Sequence, residues 1–256
     1  MNRIVDLGTG YMPYKNLPPL AGLVGRMSEA IENEGRSVAE VVDRLRRFHY
    51  AMKRLHGIFI GAIPSEPIYE LKMAFSLHAH GCAEHVGALR RRVGEMREPP
   101  LGLEKVPHPA LERFFNEIQA APTTAALLAA VYEIALPSLI SALERHQTES
   151  HPLADYPSLR LGRFALLELR EFAAYGHHAV AALVDDTARE AIREWLAWLP
   201  SLLGEAGGLD GAEEPAAAIP RPTVDWPGRP EPMDVRVRRD ERFSDPYNMG
   251  VNAEVY

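Results

Sequence analysis

Two histidines and the chain's only cysteine, His78, Cys82 and His85, follow one another at steps of four and three. On an α-helix that spacing puts all three on one face. They sit in the middle of a stripe, Leu71, Phe75, His78, Cys82, His85, Leu89, Val93 and Met96, in a stretch read as one helix over 67–97. A plain core helix carries Leu or Val at such positions. Either the core tolerates three polarisable groups or they surround something. Imidazoles, a thiol and one or two carboxylates suit Zn²⁺, or a mononuclear Fe²⁺ held by two histidines and a carboxylate. The plainer reading has equal weight: buried polar groups are usually satisfied in pairs, and a lone cysteine is usually a small buried hydrophobe.

The elements that must position these residues are legible from caps and breakers. Residues 1–36 read as a lead-in, with room for a short helix through Leu23, Met27 and Ile31. Ser37, with Glu40 three residues on, forms a capping box for a first long helix over 38–60. Its inner stripe is Val38, Val42, Leu45, His49, Met52, His56 and Phe59. Gly61, Pro64 and Pro67 break it, and Pro99 and Pro100 end the second helix. A short helix over 109–119 lies within a long connection. Thr123 or Thr124 caps a third long helix over 124–147, buried through Leu128, Val131, Tyr132, Ala135, Leu139, Ala142 and Leu143. Pro137 inside it removes a backbone donor and clashes with the preceding turn, which predicts a kink or a widened turn. Ser158 caps a fourth helix over 159–184 bearing Leu161, Ala165, Glu168, Phe172, Tyr175 and Ala179 on one face. A fifth starts at Asp186 or Thr187 and ends at Pro200. The expectation is an all-α chain: four long helices in two hairpins joined by a long crossover, a bundle domain over 37–204, and an extended arm over 205–256.

This layout, with the segments HGCAEHVGALRRRVGEMREPP (80–100) and LADYPSLRLGRFALLELREFAAYG (153–176), resembles an uncharacterised, domain-of-unknown-function branch of the ferritin-like superfamily. The resemblance covers about 37–184. It implies a four-helix bundle with metal ligands projecting inward from all four helices. It also implies a non-haem metal-dependent oxidase or hydroxylase of a small molecule. A ferritin-like di-iron site uses two Glu-x-x-His steps. Here the matching spacings are Cys82 to His85 on the second helix and Glu168 to Glu171, or Tyr175 to His178, on the fourth, so neither step is intact. Folding the first hairpin about 63–64 puts His49 level with His78. Folding the second about 152 puts Glu133 near Phe172 and Pro137 near Glu168. The expected ligand set is therefore His49, His78, Cys82, His85, Glu133 and Glu168, around Fe or Zn. The alternative is a metal-free binding or assembly protein with no catalytic activity.

Composition narrows the partners. The net charge is −7 and the basic residues form no stripe, which argues against nucleic acid. One cysteine allows no internal disulfide, and a reducing cytoplasm fits. No signal-peptide pattern is visible, and no run approaches the ~18 uninterrupted apolar residues of a membrane span. The arm is polar yet carries Trp226, Met233, Phe243, Tyr247, Met249 and Tyr256 at intervals. Such an arm either wraps its own bundle or exchanges with a second copy in a homodimer.

Overall fold

The computed structural model describes residues 35–97, 99, 101–229, 236–238, 240 and 242. The helix expected over 20–33, and the arm residues Met233, Phe243, Tyr247, Met249 and Tyr256, lie outside them. Among the described residues there are helices and no strand: α1 (Val38–Ala62), α2 (Tyr69–Met96), α3 (Pro109–Gln119), α4 (Thr124–Glu149), α5 (Tyr156–Leu183) and α6 (Asp186–Glu205).

Three of the long helices have a local cause for their start. Ser37 and Glu40 form the expected capping box, Thr123 caps α4, and Asp185 caps α6. Helix α2 has no cap of its own. The backbone N–H of Tyr69 instead donates to the Asp240 carboxylate, 171 residues away. Helix α5 begins before its expected cap, so Ser158 lies inside it, buried, and accepts a hydrogen bond from Arg92 Nε at 2.9 Å. Helix α6 continues through Pro200 to Glu205.

Pro137 has its expected effect. Residues Ala130–Ala135 form a π-helical turn, and the Leu136 N–H reaches back five residues to the Val131 carbonyl. A proline nitrogen at 137 cannot donate to the Glu133 carbonyl, and its ring would strike that carbonyl in a regular helix. The widened turn relieves the clash. As a whole α4 is long and apolar enough to cross a bilayer, but 61% of its most apolar window is buried by the other helices, the situation of a core helix.

Helices α1 and α2 form one antiparallel hairpin, and α4 and α5 form the other. The hairpins dock through α2 against α5 and α1 against α4. Arg92 meeting Ser158 and Tyr175 meeting the Glu70 carbonyl show that α2 and α5 run antiparallel. Phe48 meeting His146 and Phe59 meeting Tyr132 show the same for α1 and α4. The connection over 97–123 carries the chain back along the bundle, and α3 within it packs on α6.

Residues 206–229 lie along their own bundle. Arg47 donates to the carbonyls of Ala206 and Gly208. Trp226 packs edge-on to the buried Trp195 at 5.1 Å. Arg221 forks onto Glu117, at 2.5 Å and 3.1 Å, and Trp195 Nε1 donates to the same carboxylate at 3.1 Å. A buried carboxylate held by a guanidinium and an indole is thus the pin that fastens the arm.

The core's tolerance is uneven. A Cβ at Gly176 would lie 2.0 Å from a ring carbon of Tyr132, whereas one at exposed Gly57 meets nothing within 4 Å. We expect Gly176→Ala to destabilise by about 1–3 kcal/mol through overpacking. Gly57→Ala should stabilise by about 0.5–1 kcal/mol through helix propensity. Urea denaturation of the two variants checks both signs.

Candidate functional site

All but one member of the α2 stripe is buried: Leu71, Phe75, His78, Cys82, His85, Leu89 and Val93 face the bundle interior, and Met96 is half-buried. What the polar members meet differs along its length.

His78 lies at the centre. Its ring stacks on Phe172 of α5 at 4.1 Å, with Phe59, Tyr132 and Tyr175 edge-on around it. Its Nδ1 lies 2.8 Å from the Tyr132 hydroxyl. A phenol is a stronger donor than an imidazole N–H, and an imidazole nitrogen a stronger acceptor than a phenol oxygen, so we assign the donor role to the hydroxyl, with the imidazole's own proton on Nε2. Burial pushes His78 down to about 4 and holds the Tyr132 phenol well above its ordinary range. Both are neutral at pH 7. One turn on, burial and then the Glu168 charge push the Cys82 thiol up to about 12. A thiol in that state is neither nucleophile nor ready metal ligand.

His85 and Glu168 do meet, across the α2–α5 seam. His85 Nε2 stands 2.8 Å from Glu168 Oε2, a close polar contact without hydrogen-bond alignment. Gly81 makes room for this seam, since a Cβ there would lie 2.7 Å from Phe172 and 3.5 Å from Glu168 Oε2. Glu168 sits at the edge of its helix face, its side chain about half exposed. Of the six expected ligands, this is the pair the fold places in contact.

The other two members are elsewhere. His49 is buried, but the α1–α2 hairpin folds later than 63–64. His56 Nδ1–H donates to the Ala79 carbonyl, and Phe59 packs on Phe75 and His78. The hairpin centre is therefore near Pro67, because 63–68 form the loop and α2 begins only at Tyr69. His78 is level with His56 and Phe59, and His49 lies about 10 Å further along the axis, seven residues at the helical rise. Burial lowers the His49 pKa, with Lys53 and Arg90 adding to it, and its Nδ1 has no hydrogen-bond partner among the described residues. Glu133 points the other way. It takes both guanidinium nitrogens of Arg189 on α6, at 2.8 Å and 3.0 Å. The reason is elementary: Tyr132 faces the core, and its neighbour is about a quarter-turn or more round the helix. No three His, Cys, Asp or Glu side chains among the described residues converge where an ion could sit. The set expected for Fe or Zn does not fit one metal as placed.

Several buried polar residues escape a stripe-based reading. His146, near the end of α4, is buried against Phe48, with Nδ1 on the Ser150 hydroxyl at 2.9 Å. Glu66 is buried in the first hairpin loop, accepting from the Ile68 N–H and the Thr124 hydroxyl. Arg44 is buried too, and its spacing from Val41 and Phe48 was the available signal.

A histidine whose folded pKa lies below its unfolded value binds fewer protons when folded. Stability is then lost as pH falls from about 6.5 towards 4. His78 and His146, both pushed down to about 4 by burial, each contribute on the order of 3 kcal/mol across that window. The melting temperature should fall steeply between pH 6.5 and 4, and His78→Leu should flatten the slope. Tyr132→Phe, which strands Nδ1, should cost about 1–3 kcal/mol at pH 7. No family model, curated protein or solved structure matches this chain, so no relative assigns a role to His78, His85 or Glu168.

Proposed function

We propose that this chain is a ferritin-like bundle whose centre has been given over to aromatic packing and neutral hydrogen bonds, and that it works as a metal-free binding or assembly protein. The ferritin-like assignment is supported by the antiparallel neighbours and by the single long crossover between the hairpins. The observation that carries the metal-free reading is the His78–Tyr132 bond inside its ring of Phe59, Phe172 and Tyr175. Ferritin-like metal sites need ionised carboxylates and free imidazole nitrogens at mid-bundle. Here the imidazole nitrogen belongs to a phenol, the thiol is held protonated, and Glu133 is held outward by Arg189.

A second reading is favoured by one observation. His49 Nδ1 is buried without a partner among the described residues, and His85 Nε2 has Glu168 close by but not aligned. A modest rearrangement would free His85 and Glu168 for a single Zn²⁺ or Fe²⁺, in line with an oxidase or hydroxylase.

Protein purified without an affinity tag separates the two by elemental analysis. The metal-free reading expects less than about a tenth of an equivalent of Fe or Zn, with no rise in melting temperature on adding either ion. One bound equivalent that disappears in Glu168→Gln would replace it with the second reading.

A further inference from the structure

A cavity of about 540 Å³ opens at the far end of the bundle from the α1–α2 loop, between the start of α1, the 101–107 loop and the 210–212 turn. Its walls carry five cations, Arg36, Arg44, Arg46, Arg47 and Lys105, against three acids, Glu40, Asp43 and Asp210. Its volume is in the range of small-molecule pockets.

The arginines are built in. Gly102 and Gly211 both have φ near +70°, the left-handed region glycine tolerates. A Cβ at Gly102 would sit 3.0 Å from the Arg46 guanidinium, and one at Gly211 2.7 Å from that of Arg47. Two loops therefore press their bare backbones against two guanidinium groups. Arg46 is further held by the Leu101 carbonyl and Asp43, and Arg47 by the Ala206 and Gly208 carbonyls. Carbonyl partners fix the Arg47 side chain, and Asp210 and Asp43 are the acids whose charge it feels.

Donor capacity is left over. Arg44 is only 4% exposed, and while its Nη2 bonds to Glu149 at 2.5 Å, its Nη1 has no partner among the described residues. Arg36 donates to the same Glu149 oxygen, and its Nε likewise has no partner among the described residues. The Lys105 ammonium stands on the rim with no partner among the described residues. Asp210 Oδ2, on the opposite wall, has Arg145 at 3.4 Å and Arg44 at 4.0 Å but no aligned hydrogen bond. Both orphaned nitrogens are closed to solvent as the side chains stand. Leaving a buried guanidinium nitrogen unsatisfied is costly, and an oxyanion towards which the guanidinium turns is the partner that suits its fork.

We infer that this cavity is a binding site for a small phosphate-bearing molecule, recognised by the Arg44 and Arg47 wall and closed at the rim by Lys105. The site is independent of the histidine core and stands whether or not that core holds a metal.

Isothermal titration of the full chain with inorganic pyrophosphate, at constant ionic strength, tests it. The expected result is saturable binding with one site per chain. Lys105→Ala, on an exposed residue whose loss leaves the fold intact, should weaken binding at least fivefold, and Lys105→Arg should restore most of it. Arg193→Ala, on the outside of α6, should change nothing. Absence of saturable heat, equal binding by Lys105→Ala and wild type, or an equal response to chloride would each overturn the assignment.

Discussion

One hydrogen bond crosses the middle of this molecule, from the Tyr132 hydroxyl on α4 to His78 Nδ1 on α2. It joins the second hairpin to the first inside a ring of Phe59, Phe172 and Tyr175. Its geometry is set from three sides. The widened turn around Pro137 carries Tyr132, Gly176 has no Cβ to obstruct the phenol ring, and Phe172 covers the imidazole face. Remove the bond and a buried nitrogen is stranded; thicken Gly176 and the ring cannot reach. A buried polar pair of this kind adds little net energy when made, but it penalises every arrangement that leaves it unmade. It fixes how the hairpins dock.

The ends of the bundle are organised by the same logic with charges. Glu66 ties the first hairpin loop to the start of α4 through Thr124, and Glu117 ties α3 to Trp195 and to Arg221 of the arm. Asp240 caps α2 from the far end of the sequence. Each is a carboxylate that satisfies backbone or side-chain donors from segments distant along the chain. Apolar stripes bring the helices together without fixing their ends, and these contacts supply the missing specification.

The long helices were legible in the sequence because their burial patterns are local. The α2 stripe and the inner face of α4 appear in the structure as the spacing predicts, and the cap at Ser37 and the wide turn at Pro137 follow from single-residue chemistry. Hairpin register was not legible. It depends on where a loop ends, and the run from Ile63 to Ile68 consumes residues that a tight turn would have left helical. That shift separates His49 from His78. Glu133 was misplaced for a different reason: hairpin depth says how far along the axis a residue lies, not which way it faces. His146 and Arg44 show the remaining gap, since a polar residue type suggests exposure and only the assembled core reveals that a partner was waiting. The path of the arm depends on Glu117 and Trp195, which no local pattern connects to Arg221 and Trp226.

The central claim is that His78 is a neutral, hydrogen-bonded core residue. Nitrogen-15 NMR of the histidine side chains across pH 7 to 5 tests it most directly. His78 should stay neutral throughout that range, with the proton on Nε2 and Nδ1 showing the shift of a hydrogen-bonded acceptor. Its signal should be unmoved by added Zn²⁺. Titration of His78 near 6.5, or displacement of its Nδ1 resonance by the metal, would contradict it.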